Sequence, residues 1–155
     1  MSIARRFQQL DTEIAALDHD LGTLLTPLAP TLLSLQGVGI DVAGQLLVTA
    51  GDNPNRIHNQ AAFAHLCGVA PIPASSGKTT AYRLNRGGDR AANAALHRIV
   101  ICRLRWDPAT RRYLERRTKE GKSKRDIIRC LKRYIARQVY AAIQTDLNPT
   151  HHPMT

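Results

Sequence analysis

Seven apolar residues at the start of the chain, Ile3, Phe7, Leu10, Ile14, Leu17, Leu21 and Leu24, recur with alternating steps of four and three. Only a helix puts residues at that spacing on one face, and three repeats make a heptad seam. The flanking positions hold Arg6, Asp11, Glu13, Asp18 and Asp20. That acidic flank repels itself across a parallel homodimer and suits a partner helix with basic flanks. One reading is an arm that pairs with another helix. The other is an ordinary core helix folded back on its own domain. We expect the first, because an isolated helix does not hold so long a seam. The arm is expected over residues 1–26, and the chain is expected to form a homo-oligomer through it.

The remaining pattern is also helical. Pro27 and Pro30 are read as ending the arm and starting the next helix. Leu32, Leu33 and Leu35 lead into Gln36-Gly37-Val38-Gly39, and a helix follows from Ile40 to Ala50. Two short helices joined by Gly-Val-Gly match a helix-hairpin-helix. In that motif glycine permits a tight turn and close approach to a phosphate, and free N–H groups at the next helix start point at the anion. A plain helical corner with glycine at the turn fits equally well. Asn59 is placed to cap a short helix to about Cys67, closed by Gly68. Val69–Pro73 and Thr79–Leu84 read as two extended pieces of a short, irregular β-hairpin or loop, with the prolines confining one to an edge. Asp89 caps a helix to about Trp106; Ala109–Lys119 and Lys124 to about Asp146 supply two more. Residues 147–155 are expected to be a disordered tail. The expected fold is therefore mainly α. It is a helical domain over residues 27–146 with a helix-hairpin-helix element, a short β-hairpin or extended loop, and an N-terminal coiled-coil-type helix.

Composition fits one domain with an appendage. Of 155 residues, 43% are hydrophobic and only 5% aromatic, so the core must be built from Leu, Ile, Val and Ala. No apolar run approaches the ~18 residues that span a bilayer, and the N-terminus lacks a charged-then-apolar signal pattern. No membrane association is expected, and the expected compartment is the cytoplasm. Cys67, Cys102 and Cys130 are odd in number and far apart. His65 lies near Cys67, but no second ligand pair exists, so reduced thiols and no structural metal are expected.

Charge points to a partner. The net charge is +10, yet residues 78–137 hold 19 of the 22 basic residues and only 5 of the 12 acids. So concentrated a block reads as a polyanion-binding surface, against the plainer reading of solvated helix faces. Lys78, Arg83, Arg86, Arg90, Arg98, Arg129, Lys132 and Arg133 are the candidate contacts, together with Gly37 and Gly39 of the turn; Arg103 and Arg137 belong to the same basic faces. Ser75-Ser76-Gly77-Lys78-Thr79 resembles part of a P-loop, but that motif requires glycine where Ile72 stands. The other chemistry open to this stretch is nucleophilic. A serine beside glycine is sterically open, and neighbouring cations stabilise a phosphoryl transition state. The hydroxyl also needs activation, and the nearby carboxylate is Asp89.

The ordered segments LLSLQGVGIDVAGQLL, GD, FAHLCGVAPIPASSGKT, RLNRGGDRAANAALHRI and YLERRTKEGKSKRDIIRCLKRYIARQVY carry a resemblance. Over residues 28–145 the chain resembles the C-terminal domain of transposases of the insertion-sequence family one-ten, grouped with one-sixteen and nine-oh-two. The preceding heptad helix resembles the returning limb of that family's coiled coil. The resemblance implies DNA transposition or recombination, with a serine that attacks a DNA phosphate and forms a phosphoserine link. By the Ser-Gly match that serine is Ser76, with Ser75 as the fallback. It also implies magnesium held by four acids of an RNase H-like N-terminal domain, and in some members a guide (bridge) RNA beside the DNA. The chain departs from the family's pattern by lacking that acid-bearing domain, as an excised domain or a truncated reading frame would. The expectation is no cofactor in this chain and no DNA cleavage by it alone. The alternatives are a non-catalytic helix-hairpin-helix nucleic-acid-binding module and a fragment acting only in oligomerisation.

Overall fold

The computed structural model describes residues 2–51, 57–74 and 82–147. Among them are seven helices: α1 (Ile3–Leu28), α2 (Pro30–Ser34), α3 (Ile40–Ala50), α4 (Gln60–Leu66), α5 (Arg90–Trp106), α6 (Pro108–Lys119) and α7 (Lys124–Leu147). Two two-residue strands, β1 (Ile72–Pro73) and β2 (Tyr82–Arg83), pair antiparallel with Ile72 opposite Arg83 and Pro73 opposite Tyr82. The fold is mainly α, as the apolar spacing indicated.

Helix α5 lies at the centre, packed on α3, α6 and α7. Its buried Leu96, Ile99 and Val100 meet Leu46 of α3 and Ile127 and Val139 of α7 in one core. Phe63 of α4 is fully buried, and its ring stands 6.1 Å from that of Tyr140 on α7. With so few aromatics, the core is mostly aliphatic, with Phe63 inside it and Tyr113 and Tyr140 packed against it.

Caps set the helix starts. Asn59 accepts from the N–H groups of Ala61 and Ala62, Asp89 from Ala91 and Ala92, and Asp107 from Ala109 and Thr110. Each satisfies donors that the first helical turn leaves open. Helix α2 is capped from far away. Asp146, near the end of α7, accepts from Thr31 N–H at 3.0 Å and Leu32 N–H at 2.9 Å, which joins the two ends of the domain.

The arm differs from expectation at one point. Helix α1 continues through Pro27 to Leu28 rather than ending before it. Pro27 removes one i→i−4 bond in the last turn, and the pattern resumes at once with Ala29 N–H donating to Leu25 O at 2.9 Å. Leu25 packs on α3, leaning 3.4 Å from where a Cβ on Gly44 would stand. Residues 2 to 21 are exposed along the whole helix, including Ile3 (90%), Phe7 (69%) and Leu17 (62%) of the seam. The seam is thus not folded back on the domain's own core.

Candidate nucleic-acid interface

Four carbonyls at the end of α4 anchor the site. His65 O accepts from Asn85 Nδ2 at 2.9 Å, and Leu66 O from Asp89 N–H at 2.7 Å. Cys67 O and Gly68 O accept from Asn93 Nδ2 at 2.9 and 3.3 Å. A helix C-terminus normally leaves such acceptors to water or a cap; here residues 85–93 serve as the cap. The two limbs also touch. A Cβ on Gly88 would lie 2.3 Å from both the N and Cα atoms of Gly68, whose own φ is +65°. The return from β2 into α5 is thereby seated on α4, and Arg86 and Arg90 with it.

Helix α7 closes the other side. Ser123 Oγ accepts from Asp126 N–H and donates to Asp126 Oδ2 at 2.6 Å, while Arg129 donates to Asp126 Oδ1 at 2.8 Å. The serine hydroxyl and the Arg129 guanidinium hold the Asp126 carboxyl below its ordinary pKa. Asn93 relays its own tether across the gap: its Oδ1 accepts from Lys132 Nζ at 2.7 Å. Burial, and then the nearby Arg129, push the Lys132 ammonium below its usual pKa.

Between these elements runs a groove of about 1070 Å³. Its cations are Arg83, Arg86 and Arg90 on one wall and Lys124, Arg125, Arg129, Lys132 and Arg133 on the other. Asp126 is the single carboxylate lining it among the described residues, and Ser123 and Arg129 already engage it. Val69, Pro71, Leu84 and Ile128 supply apolar lining, and Tyr82 stands 65% exposed. Eight cations converging on a concave surface repel one another until an anion neutralises them.

Six of the residues singled out from the sequence meet here: Arg83, Arg86, Arg90, Arg129, Lys132 and Arg133. Ser75, Ser76 and Lys78 lie outside the described residues. Arg98 does not reach the groove; it pairs with Asp41 at the start of α3. Arg103, expected on an outer face, is half-buried and donates to Gln36 O at 2.7 Å and Gln138 Oε1 at 2.6 Å. Desolvation lowers its pKa. It ties α5 to the α2–α3 turn and to α7.

The glycines of that turn also sit apart. Gly37 has φ +84°, and a Cβ there would lie 3.3 Å from Ile99 O and Ile99 Cγ2. Its missing side chain therefore admits α5. Gly39 caps α3 with open space around it. At 100° per residue, Ile99 and Cys102 point away from Arg90, Asn93 and His97, so the turn and the groove occupy different faces of α5.

Sequence reasoning missed Asn93, His97, Lys124 and Arg125. Two signals were present. Arg90, Asn93 and His97 follow i, i+3, i+7, a polar stripe on a mostly apolar helix. Lys124 and Arg125 stand in the first turn of α7, the end at which the helix dipole disfavours cations.

Neither Asp89 nor Cys67 offers general-base chemistry. Asp89 Oδ1 accepts two backbone N–H groups and Oδ2 accepts from Thr49 Oγ1 at 2.8 Å, so its pKa is lowered, chiefly by the Ala92 N–H and then by Thr49. Burial, then Asp89, pushes the Cys67 thiol up to about 12, which leaves it unreactive at neutral pH. The Asp89 shift carries a pH prediction. A depressed folded-state pKa contributes stability above the unfolded value of about 3.9, lost as pH falls through the folded value. Thermal melts from pH 5 to pH 2 should show a smaller fall for Asp89→Asn than for the parent; equal falls would contradict the assignment.

Among the described residues no group of three or more His, Cys, Asp or Glu side chains is arranged to hold a metal ion. The groove, with one engaged carboxylate among eight cations, does not suit a divalent cation. No helix among the described residues is long and apolar enough to cross a membrane.

Residues 29–115 match the family model described as the transposase IS116/IS110/IS902 family. The chain belongs to this family. The match covers α2 through most of α6, including one wall of the groove. Two curated relatives extend it. An uncharacterized 43.6 kDa protein of insertion element IS110 from Streptomyces coelicolor is 34% identical over 125 residues, which is 79% of this chain and 31% of the relative. An uncharacterized 42 kDa protein of insertion element IS900 from Mycobacterium paratuberculosis is 26% identical over 156 residues, covering 99% of this chain and 39% of the relative. The chain thus spans about a third to two-fifths of the length of the curated relatives it matches.

Proposed function

We propose that this segment is the strand-handling part of an IS110-type DNA transposase. The groove between the hairpin, α5 and α7 holds the backbone phosphates of DNA, and Ser76 is the nucleophile. Its Oγ attacks a phosphodiester phosphorus and gives up its proton. One P–O bond to a sugar breaks, and that sugar oxygen leaves as a hydroxyl. The DNA is left covalently joined to the serine. The family match supports transposition, and the groove's convergent charge is the observation that carries the reading. Ser76 follows Pro73 by three residues, and Tyr82, which pairs with Pro73, lines the groove. Arg83 and Arg86 would neutralise charge on the equatorial phosphate oxygens.

Activation of the hydroxyl would fall to acids outside this segment, which would hold magnesium. The exposed seam of α1 is proposed as the pairing surface that joins this segment to another helix in an oligomer. A guide RNA is a second polyanion of suitable charge for the basic faces.

The test is a transposition reaction with a full-length family protein carrying this segment, quenched in denaturant. A DNA–protein adduct should form with the parent and with Ser75→Ala and vanish with Ser76→Ala. Loss with Ser75→Ala alone would move the nucleophile by one residue. An adduct that survives both substitutions would leave the groove a non-catalytic binding surface.

A further inference from the structure

A second surface lies beside the groove, on α6 and α7. Tyr134 is 51% exposed, and its ring stands edge-on to Tyr113 at 5.9 Å and 82°. Guanidinium groups crowd the pair: Arg137 is 5.8 Å from the Tyr134 centroid, and Arg116 and Arg117 are 5.4 and 5.9 Å from that of Tyr113. Glu120 pairs with Arg117 and, at 3.8 Å, with Arg116; among the described residues Arg137 forms no ion pair. The surface is continuous with the groove. Arg133 lines the groove, and Arg137 follows it by one turn of α7 on the same side.

We propose that Tyr134, backed by Tyr113 and flanked by Arg137, is a stacking platform for an unpaired base of a single-stranded nucleic acid leaving the groove along Arg133 and Arg137. An exposed ring among cations is the combination that single-strand binders use: π-stacking for the base, cations for the adjacent phosphates. Duplex bases are stacked and paired, so a duplex has no face to offer this ring. The inference rests on the nucleic-acid reading of the groove, and the duplex arm of the experiment tests that reading separately.

The 155-residue chain is titrated in 50 mM salt with three labelled probes: a 15-nucleotide oligo(dT), a 15-nucleotide oligo(U) and a 15-base-pair DNA duplex. Tyr134→Ala should weaken single-strand binding about tenfold and duplex binding less than twofold. Tyr134→Phe, which keeps the ring, should bind single strands as the parent does. The probe with the larger loss identifies DNA or RNA as the strand. The platform is refuted if Tyr134→Ala leaves both single strands within twofold, if the duplex weakens equally, or if Tyr134→Phe loses as much as Tyr134→Ala. Parent protein that binds duplex but neither single strand refutes the platform alone; parent that binds none of the probes refutes the groove reading as well.

Discussion

Replacing Arg129, Lys132 and Arg133 together by Ala should lower affinity for duplex DNA by a hundredfold or more at low salt. It should also flatten the dependence of log affinity on log salt by about three units. These residues occupy one wall of the groove over little more than one turn of α7. Each phosphate contact releases about one condensed counterion, so each lost cation removes nearly one unit of slope. The loss should be the same for unrelated sequences, because phosphate contacts carry no base preference. None of the three is fully buried, and the buried residues of α7 are Ile127, Leu131, Ile135 and others on its inner face, so the variant keeps its core. Replacing Arg98 and Arg105 instead should change the slope far less, since neither lines the groove. Equal slopes for the two variants would mean that the positive charge acts diffusely and the groove has no special standing.

Gly88→Ala should cost about 2 to 3 kcal/mol, a fall of roughly 6 to 10 °C in melting temperature for a domain of this size. The added Cβ would meet backbone atoms of Gly68 and Cys67, not the movable end of a side chain. One limb must retreat. The Asp89 N–H to Leu66 O bond and the Asn93 contacts to Cys67 and Gly68 stretch with it. DNA affinity should fall alongside stability, because Arg86 and Arg90 ride on that limb. Gly87→Ala is the control: its Cβ would meet only Asn85 Oδ1, at an ordinary 3.6 Å, and should cost under about 1 kcal/mol. Similar losses for the two variants would mean that chain entropy, and not the crossing, sets the requirement for glycine here.

Local signals in this chain were readable, and long-range ones were not. The Asp89 and Asn59 caps and the Gly68 stop are features of a few neighbouring residues, and α5 begins, and α4 begins and ends, within a residue or so of where these put them. The heptad spacing marked α1 as a helix for the same reason. Asp146 capping α2 across more than a hundred residues leaves no trace in either segment. Arg103 looked like a solvent-facing cation because its partners, Gln36 and Gln138, are distant in the chain, as is Asp41, with which the exposed Arg98 pairs. The approach of Ile99 to Gly37 is another long-range contact with no local signal. The basic block was visible as a charge excess, but that excess does not divide itself into a groove, a platform and structural ties. Those divisions come from which face of α5 and α7 each residue occupies.

An amide NMR titration of the chain with a short DNA duplex reports directly whether the hairpin–α5–α7 groove is the nucleic-acid face. Shifts should concentrate at residues 83–93 and 123–133, with the Gly37–Asp41 turn and residues 3–21 of α1 unmoved. Shifts confined to the turn or to α1, with the groove silent, would contradict that reading.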